Sequence, residues 1–95
     1  MDNFSLVADV ATAQPVAIRA ALSNLVEGTV TPTPNGFHVE GQASGEDPQD
    51  ANRQLFNSLR RIEPRTTLRS QLTFDGTVHR FVDLQAQGTF AVTSG

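Results

Sequence analysis

The stretch LTFDGTVHRFV (72–82) contains the strongest turn signal in the chain. Its Asp75-Gly76 pair lies between two runs rich in Phe, Val, Leu and Thr, which is typical of the tip of a β-hairpin. Arg80 interrupts the second apolar run. The sheet face on which Arg80 lies depends on the number of residues in the turn, because successive side chains of a strand point to opposite faces.

The patterning of the flanking strands favours a turn with an odd number of residues, with Gly76 in the left-handed conformation of a bulge. Such a turn predicts an apolar face of Leu68, Leu72, Val78, Val82 and Leu84, and a polar face of Thr67, Arg69, Gln71, Thr73, His79, Asp83 and Gln85. Arg80 then lies on the apolar face near Ser70. There it either extends its stem to keep the guanidinium in water, or it pairs with a carboxylate or a ligand anion.

The rest of the chain predicts two strand–helix units before this hairpin. Alternating apolar residues indicate strands at 3–12 and 36–44, and helical periodicity indicates helices at 14–28 and 45–64. Asp47 and Pro48 are suited to the start of the second helix, and Gly28 to a left-handed residue after the first. The segment TVTPTPNG (29–36) reads as a loop, because proline neither continues a helix nor enters a central strand.

The end of the chain predicts strands at 65–74 and 77–87, with 89–93 continuing beyond a bend or bulge at Gly88. The predicted fold is an α+β two-layer sandwich in βαβαββ order. Two helices pack on one face of a four-stranded mixed sheet that has a long C-terminal hairpin and last strand. We expect a single domain over residues 1–95, since this length supports one modest core.

Composition narrows the possible functions. The chain has no cysteine, which excludes a disulfide framework and thiolate chemistry. No apolar run is long enough to span a bilayer, and the N-terminus lacks the features of a signal peptide, so we expect a cytoplasmic protein without a membrane partner. Residues 1–50 carry one arginine and seven acidic residues, whereas residues 51–82 carry six arginines and two acidic residues. Such a chain can pair its own halves, pair with a second copy, or bind an anion.

The sheet face opposite the helices is the predicted binding surface. Its polar residues surround two apolar side chains, Phe81 and Val7, that ordinary exposure does not explain. The candidate binding residues on this face are His38, Glu40, Arg69, His79, Phe81 and Asp83.

Two histidines and two carboxylates on one face are also the ingredients of a metal site or of acid–base catalysis. His38, Glu40, His79 and Asp83 do not follow a recognised ligand spacing, however, and the chain has no nucleophile elbow, phosphate-binding loop or dinucleotide fingerprint. We predict no cofactor, no metal and no catalytic residues. A small metal-dependent or hydrolytic enzyme stays as the third alternative.

The segment 52–69 is densely basic, and arginine suits the binding of phosphate or carboxylate. The candidate anion-binding residues are Arg60, Arg61, Arg65 and Arg80. As a solvated helix face paired with nearby acids, the segment needs no ligand. It also lacks interleaved aromatic residues for base stacking, apart from Phe56, and the net charge of −3 does not favour a general nucleic-acid binder.

The βαβαββ order, with the helix QPVAIRAALSNLVEG (14–28) after the first strand, resembles the topology of Alba chromatin proteins and of the C-terminal domain of a translation initiation factor. The resemblance covers about 75 residues, and it implies a β-hairpin and basic residues that contact nucleic acid. This chain lacks lysine and has FDGT at the hairpin tip, so no individual residue is carried over.

The leading hypothesis is a non-catalytic protein that self-associates as a dimer or higher oligomer through its outer sheet face or its long last strand. In this hypothesis it binds a protein or a small molecule. A nucleic-acid-binding module that uses the arginine-rich segment is the second hypothesis.

Overall fold

The central element of the fold is the first strand, which hydrogen-bonds to a neighbour on each side. In the computed structural model, which describes residues 2–91, the chain forms two helices and six strands. The elements in chain order are β1 (Asp2–Ala11), α1 (Pro15–Leu25), β2 (Glu27–Thr33), β3 (Gly36–Gly45), α2 (Pro48–Ile62), β4 (Thr67–Phe74), β5 (Thr77–Val82) and β6 (Gln85–Ala91). Every strand pair is antiparallel, and the spatial order is β2-β3-β1-β4-β5-β6.

The predicted α+β class with two helices on one sheet face is retained, but the predicted four-stranded mixed sheet in βαβαββ order is wrong. The sheet has six antiparallel strands in the order βαββαβββ. The topological resemblance to Alba proteins rested on the predicted order and does not hold for the observed one.

The missed strand β2 lies at the edge of the sheet and includes Pro32. Proline is tolerated at an edge, where its missing N–H leaves no ladder hydrogen bond unmade. Gly28 does not cap α1 in a left-handed conformation as predicted; it pairs with Gly41 of β3 instead. A Cβ on Gly28 would overlap the carbonyl of Glu40, so the glycine allows β2 and β3 to approach closely.

The predicted long last strand is also wrong. β5 ends at Val82, and the chain turns at Asp83 and Leu84 to return as β6. Gly88 does mark the irregularity that was expected, since the register between β5 and β6 shifts next to its partner Arg80. Residues 92 and 93 of the predicted strand lie outside the described residues.

The hairpin between β4 and β5 has a two-residue turn rather than an odd-numbered one. Asp75 and Gly76 both have positive φ, 51° and 77°, and Phe74 pairs with Thr77. Two positive φ values are the signature of the type I′ turn that Asp-Gly favours. Every residue of β5 therefore lies on the face opposite to the predicted one.

The hydrophobic core lies between the helices and one face of the sheet, here called the inner face. α1 packs over β2 and β3, and α2 packs over β3 and β4. Strand β1 contributes every second residue to the core. The fully buried aliphatic residues of the core include Leu6, Ile18, Leu22, Val39, Leu59, Leu68 and Leu72. Within residues 2–91 neither helix is long and apolar enough to cross a membrane.

Helix α2 begins and ends as its sequence indicates. Asp47 caps it by accepting a hydrogen bond from the backbone N–H of Asp50 at 2.7 Å, and Pro48 occupies the first turn. Its apolar residues Ala51, Leu55 and Leu59 are buried, whereas Ile62 is 41% exposed at the end of the helix.

A buried hydrogen-bond network joins α2 to the sheet. The amide of Asn52, which is 1% exposed, donates to the carbonyl of Asp83 at 2.7 Å and accepts from the hydroxyl of Ser70 at 2.5 Å. Asp83 in turn pairs with Leu68, accepting from its N–H at 2.9 Å and donating to its carbonyl at 2.7 Å. The network fixes the turn between β5 and β6, where Asp83 has a φ of 54°.

We expect the substitution Asn52→Ala to lower the free energy of unfolding by about 2 kcal/mol, because it removes the partner of the buried Ser70 hydroxyl and of the partly buried Asp83 carbonyl. Asn57→Ala on the exposed side of the same helix is the matched control, since it has the same effect on helix propensity. Urea denaturation of both variants measures the difference. Equal stabilities would contradict a structural role for the network.

Candidate interaction surface on the outer sheet face

The outer face is the side of the sheet that the helices leave uncovered, and its composition follows from the strand registers. It presents Ser5, Val7 and Asp9 from β1, His38, Glu40 and Gln42 from β3, Arg69, Gln71 and Thr73 from β4, and Val78, Arg80 and Val82 from β5. Most of these side chains are exposed or half-buried. The face is thus largely polar with a few valines.

Three of the six predicted binding residues lie on this face, namely His38, Glu40 and Arg69. Arg80 lies there too, opposite Gln71, and it is exposed. The prediction that Arg80 lies on the apolar face is wrong, because the two-residue turn reverses the orientation of every side chain in β5.

The other three predicted binding residues lie elsewhere. Phe81 is 4% exposed and belongs to the core, so its assignment as an exposed anchor is wrong. His79 pairs with Leu72 and lies on the inner face of the sheet. Asp83 lies in the turn after β5, where its carboxylate accepts the N–H of Leu68.

The four residues considered for a metal or acid–base site are therefore not brought together. His38 and Glu40 lie on the outer face, His79 on the inner face, and Asp83 in a turn. Over the part of the chain that the structure describes, no group of three or more His, Cys, Asp or Glu side chains is arranged to hold a metal ion.

His38 lies between two carboxylates on the outer face. Its Nδ1 is 2.8 Å from Oδ1 of Asp9, the residue opposite it on β1, and its Nε2 is 3.5 Å from Oε2 of Glu40. The hydrogen bond with Asp9 is the main reason that the pKa of His38 is raised. Desolvation opposes this shift, while the charges of Asp9 and Glu40 add to it.

A shallow depression of about 450 Å³ lies on the same face. Two arginines, Arg69 and Arg80, line it together with Gln71. Its apolar lining includes Val7 and Val82, which are 41% and 39% exposed. Val82 was predicted to be part of the core, and the reversed hairpin register is why it lies here instead.

The arginines of the basic segment do not form one patch. The Nε of Arg60 donates to the carbonyl of Thr66 at 2.6 Å, and its guanidinium lies 4.7 Å from the ring centre of Phe56. Arg61 and Arg65 are exposed at the end of α2 and in the turn that follows it.

Near the start of the same helix, Arg53 contacts Asp50 at 2.5 Å. The pKa of Asp50 is lowered, first by the backbone N–H of Glu46 and then by Arg53. Arg69 lies on the opposite side of the molecule from this helix, on the outer face. The dense basic segment of the sequence is therefore divided between two sides of the fold.

Comparison with known proteins does not assign the chain to a family. No family model, no curated protein and no solved structure matches it.

We expect the pKa of His38 to exceed its ordinary value of 6.5 in the folded protein. A raised folded pKa means that the interaction with Asp9 stabilises the fold fully below the unfolded pKa and is lost as pH rises through the folded pKa. An NMR titration of the imidazole signals measures this midpoint.

Asp9→Asn should lower the midpoint, whereas Glu46→Gln, at a distant carboxylate near the start of α2, should not change it. A midpoint at or below 6.5, or one unaffected by Asp9→Asn, would show that this contact is absent in solution.

Proposed function

We propose that this protein is a non-catalytic binding module that self-associates through the outer face of its sheet. The main support for the proposal is the exposure of Val7 and Val82 on the sheet face that the helices leave uncovered. Both valines line the same depression, and polar side chains surround them. Exposed apolar side chains set among polar ones are common in protein–protein interfaces.

The position of Val7 in β1 strengthens this proposal. The outer-face neighbours of Val7 along the strand are Ser5 and Asp9, and its cross-strand partners are Glu40 and Gln71. All four neighbours are polar, so a polar residue at position 7 would be equally compatible with the fold. A single exposed valine is ordinary, but this one shares its depression with Val82 and two arginines.

The alternative of a nucleic-acid-binding module has weaker support. Of its candidate residues, Arg60 bonds to Thr66 and lies against Phe56, Arg61 and Arg65 are exposed at the end of α2 and in the turn after it, and Arg69 lies on the outer face of the sheet. Counterion release from a phosphate backbone favours several cations on one continuous surface. The alternative of an enzyme has less support still, because its four candidate residues do not converge.

For the cellular compartment, we continue to expect the cytoplasm.

The isosteric double substitution Val7→Thr/Val82→Thr should weaken self-association by about tenfold or more, because each methyl lost from a buried interface reduces the hydrophobic free energy by about 0.8 kcal/mol. Threonine keeps the shape and the β-branching of valine, so the strands should be preserved. Sedimentation velocity over a range of concentrations measures the affinity.

The matched control is Val16→Thr, because Val16 is 85% exposed on α1. A native protein that stays monomeric at all accessible concentrations would end the proposal. If the double substitution leaves the oligomer unchanged, the interface lies on another surface of the protein.

A further inference from the structure

The charges of the outer face are divided between its two halves. Acidic side chains lie on β1 and β3, where Asp9 and Glu40 are about two-thirds exposed, at 67% and 66%, and on the neighbouring edge strand β2, where Glu27 is exposed. The arginines of this face lie on β4 and β5, where Arg69 and Arg80 are exposed, whereas His38, on β3, lies between two of these carboxylates. The boundary between the two halves runs along the strands, between β1 and β4.

The strand registers place these charges in two rows across the sheet. The first row is His38, Asp9, Arg69 and Val82, and the second row is Glu40, Val7, Gln71 and Arg80. Each row therefore has one carboxylate and one arginine, and these lie at equal distances from the boundary. Asp9 and Arg69 each lie on a strand next to it, while Glu40 and Arg80 each lie one strand farther out.

We propose that the partner of this face is a second copy of the chain, packed face to face about a two-fold axis that runs parallel to the strands between β1 and β4. The proposal rests on the self-association proposed above and specifies its geometry. A rotation about this axis keeps each row opposite itself and exchanges its two ends. Glu40 then faces the partner's Arg80, and Asp9 faces the partner's Arg69, with each pair formed twice by symmetry.

Dimensions are compatible with these pairs. Facing sheets pack about 10 Å apart, a gap that an arginine and a carboxylate side chain can bridge together. The usual angle of about 30° between packed sheets displaces facing positions by only a few ångströms at this distance from the axis. Val7 lies on a strand next to the axis, so the two copies of Val7 lie near each other at the centre of the contact.

Other arrangements of two sheet faces do not match the charges. A two-fold axis in the plane of the interface but perpendicular to the strands would place β1 and β3 against β1 and β3 of the partner. The carboxylates of one copy would then face the carboxylates of the other. Like charges that face each other in an interface are strongly unfavourable. Arg80 also takes part in an interaction within its own chain, so the proposal uses its position and charge rather than a vacant guanidinium.

Two single charge reversals test this geometry. In the Glu40→Arg variant, position 40 is positively charged and faces the partner's Arg80, so both symmetry-related pairs repel. In the Arg80→Glu variant, position 80 is negatively charged and faces the partner's Glu40, so both pairs again repel. Each variant alone should dimerise about tenfold or more weaker than the native protein, as expected for close charge pairs across an interface. An equimolar mixture of the two variants should form a heterodimer of near-native affinity, because every facing pair is then opposite in charge.

Sedimentation equilibrium measures the three affinities, with one variant carrying a mass tag in the mixture. The matched controls are Arg19→Glu on α1 and Glu46→Arg before α2, which change the net charge equally on exposed residues away from the outer face. These controls should dimerise as the native protein does, alone and mixed.

A mixture that associates no better than either variant alone would overturn this geometry while leaving native self-association, and the proposed function, intact. A native protein that does not associate would overturn both.

Discussion

The register of β1 between its two neighbours is the constraint on which the rest of the structure depends. The strand pairs with β3 along all ten of its residues and with β4 along seven of them. Its alternate residues Phe4, Leu6, Ala8 and Val10 lie under the helices with at most 3% exposure. A shift of one residue would move all four into water, so the hydrophobic effect holds the register in place. The same register fixes Val7 and Asp9 on the outer face.

In the other half of the sheet, the β4–β5 hairpin determines in the same way which side chains face the core and which face outward. Its two-residue turn directs Phe81 into the core and Arg80 outward. At the far end of β5, the network of Asn52, Ser70 and Asp83 holds the next turn against α2. Together the two turns determine which charges β4 and β5 present, and the charge division of the outer face follows from them.

Local signals in the sequence were sufficient for several elements. The caps and periodicity of α2, the start of α1 at Pro15, and the alternation of β1 and β3 predicted those elements close to their observed bounds. For the same reason, the outer-face positions of His38, Glu40 and Arg69 could be predicted.

Elements that depend on tertiary context could not be read in this way. Strand β2 has exposed residues at nearly every position and a proline, so alternation gives no signal, and its pairing depends on the Gly28–Gly41 approach. The turn at Asp83 has no glycine or proline, and hydrogen bonds from residues far away in sequence support it. The number of residues in the β4–β5 turn was predicted wrongly because Val78 and Val82 were assumed to face the core, although both lie on the outer face.

These elements together produce a sheet face that exposes Val7 and Val82 among polar side chains and whose carboxylates and arginines are divided along a line parallel to its strands. Neither the composition nor the basic segment of the sequence indicates that arrangement, because Arg69 and Arg80 come together with Asp9 and Glu40 only in the folded sheet. The net charge of the chain says little about its partner, whereas the positions of four side chains suggest a self-complementary one.

Methyl NMR spectra recorded at increasing protein concentration test the self-association of this face most directly. We expect concentration-dependent shifts for the methyl groups of Val7 and Val82, and none for Val16, which is exposed on α1. Shifts at Val16 but not at the two outer-face valines, or no shifts at any concentration, would contradict it.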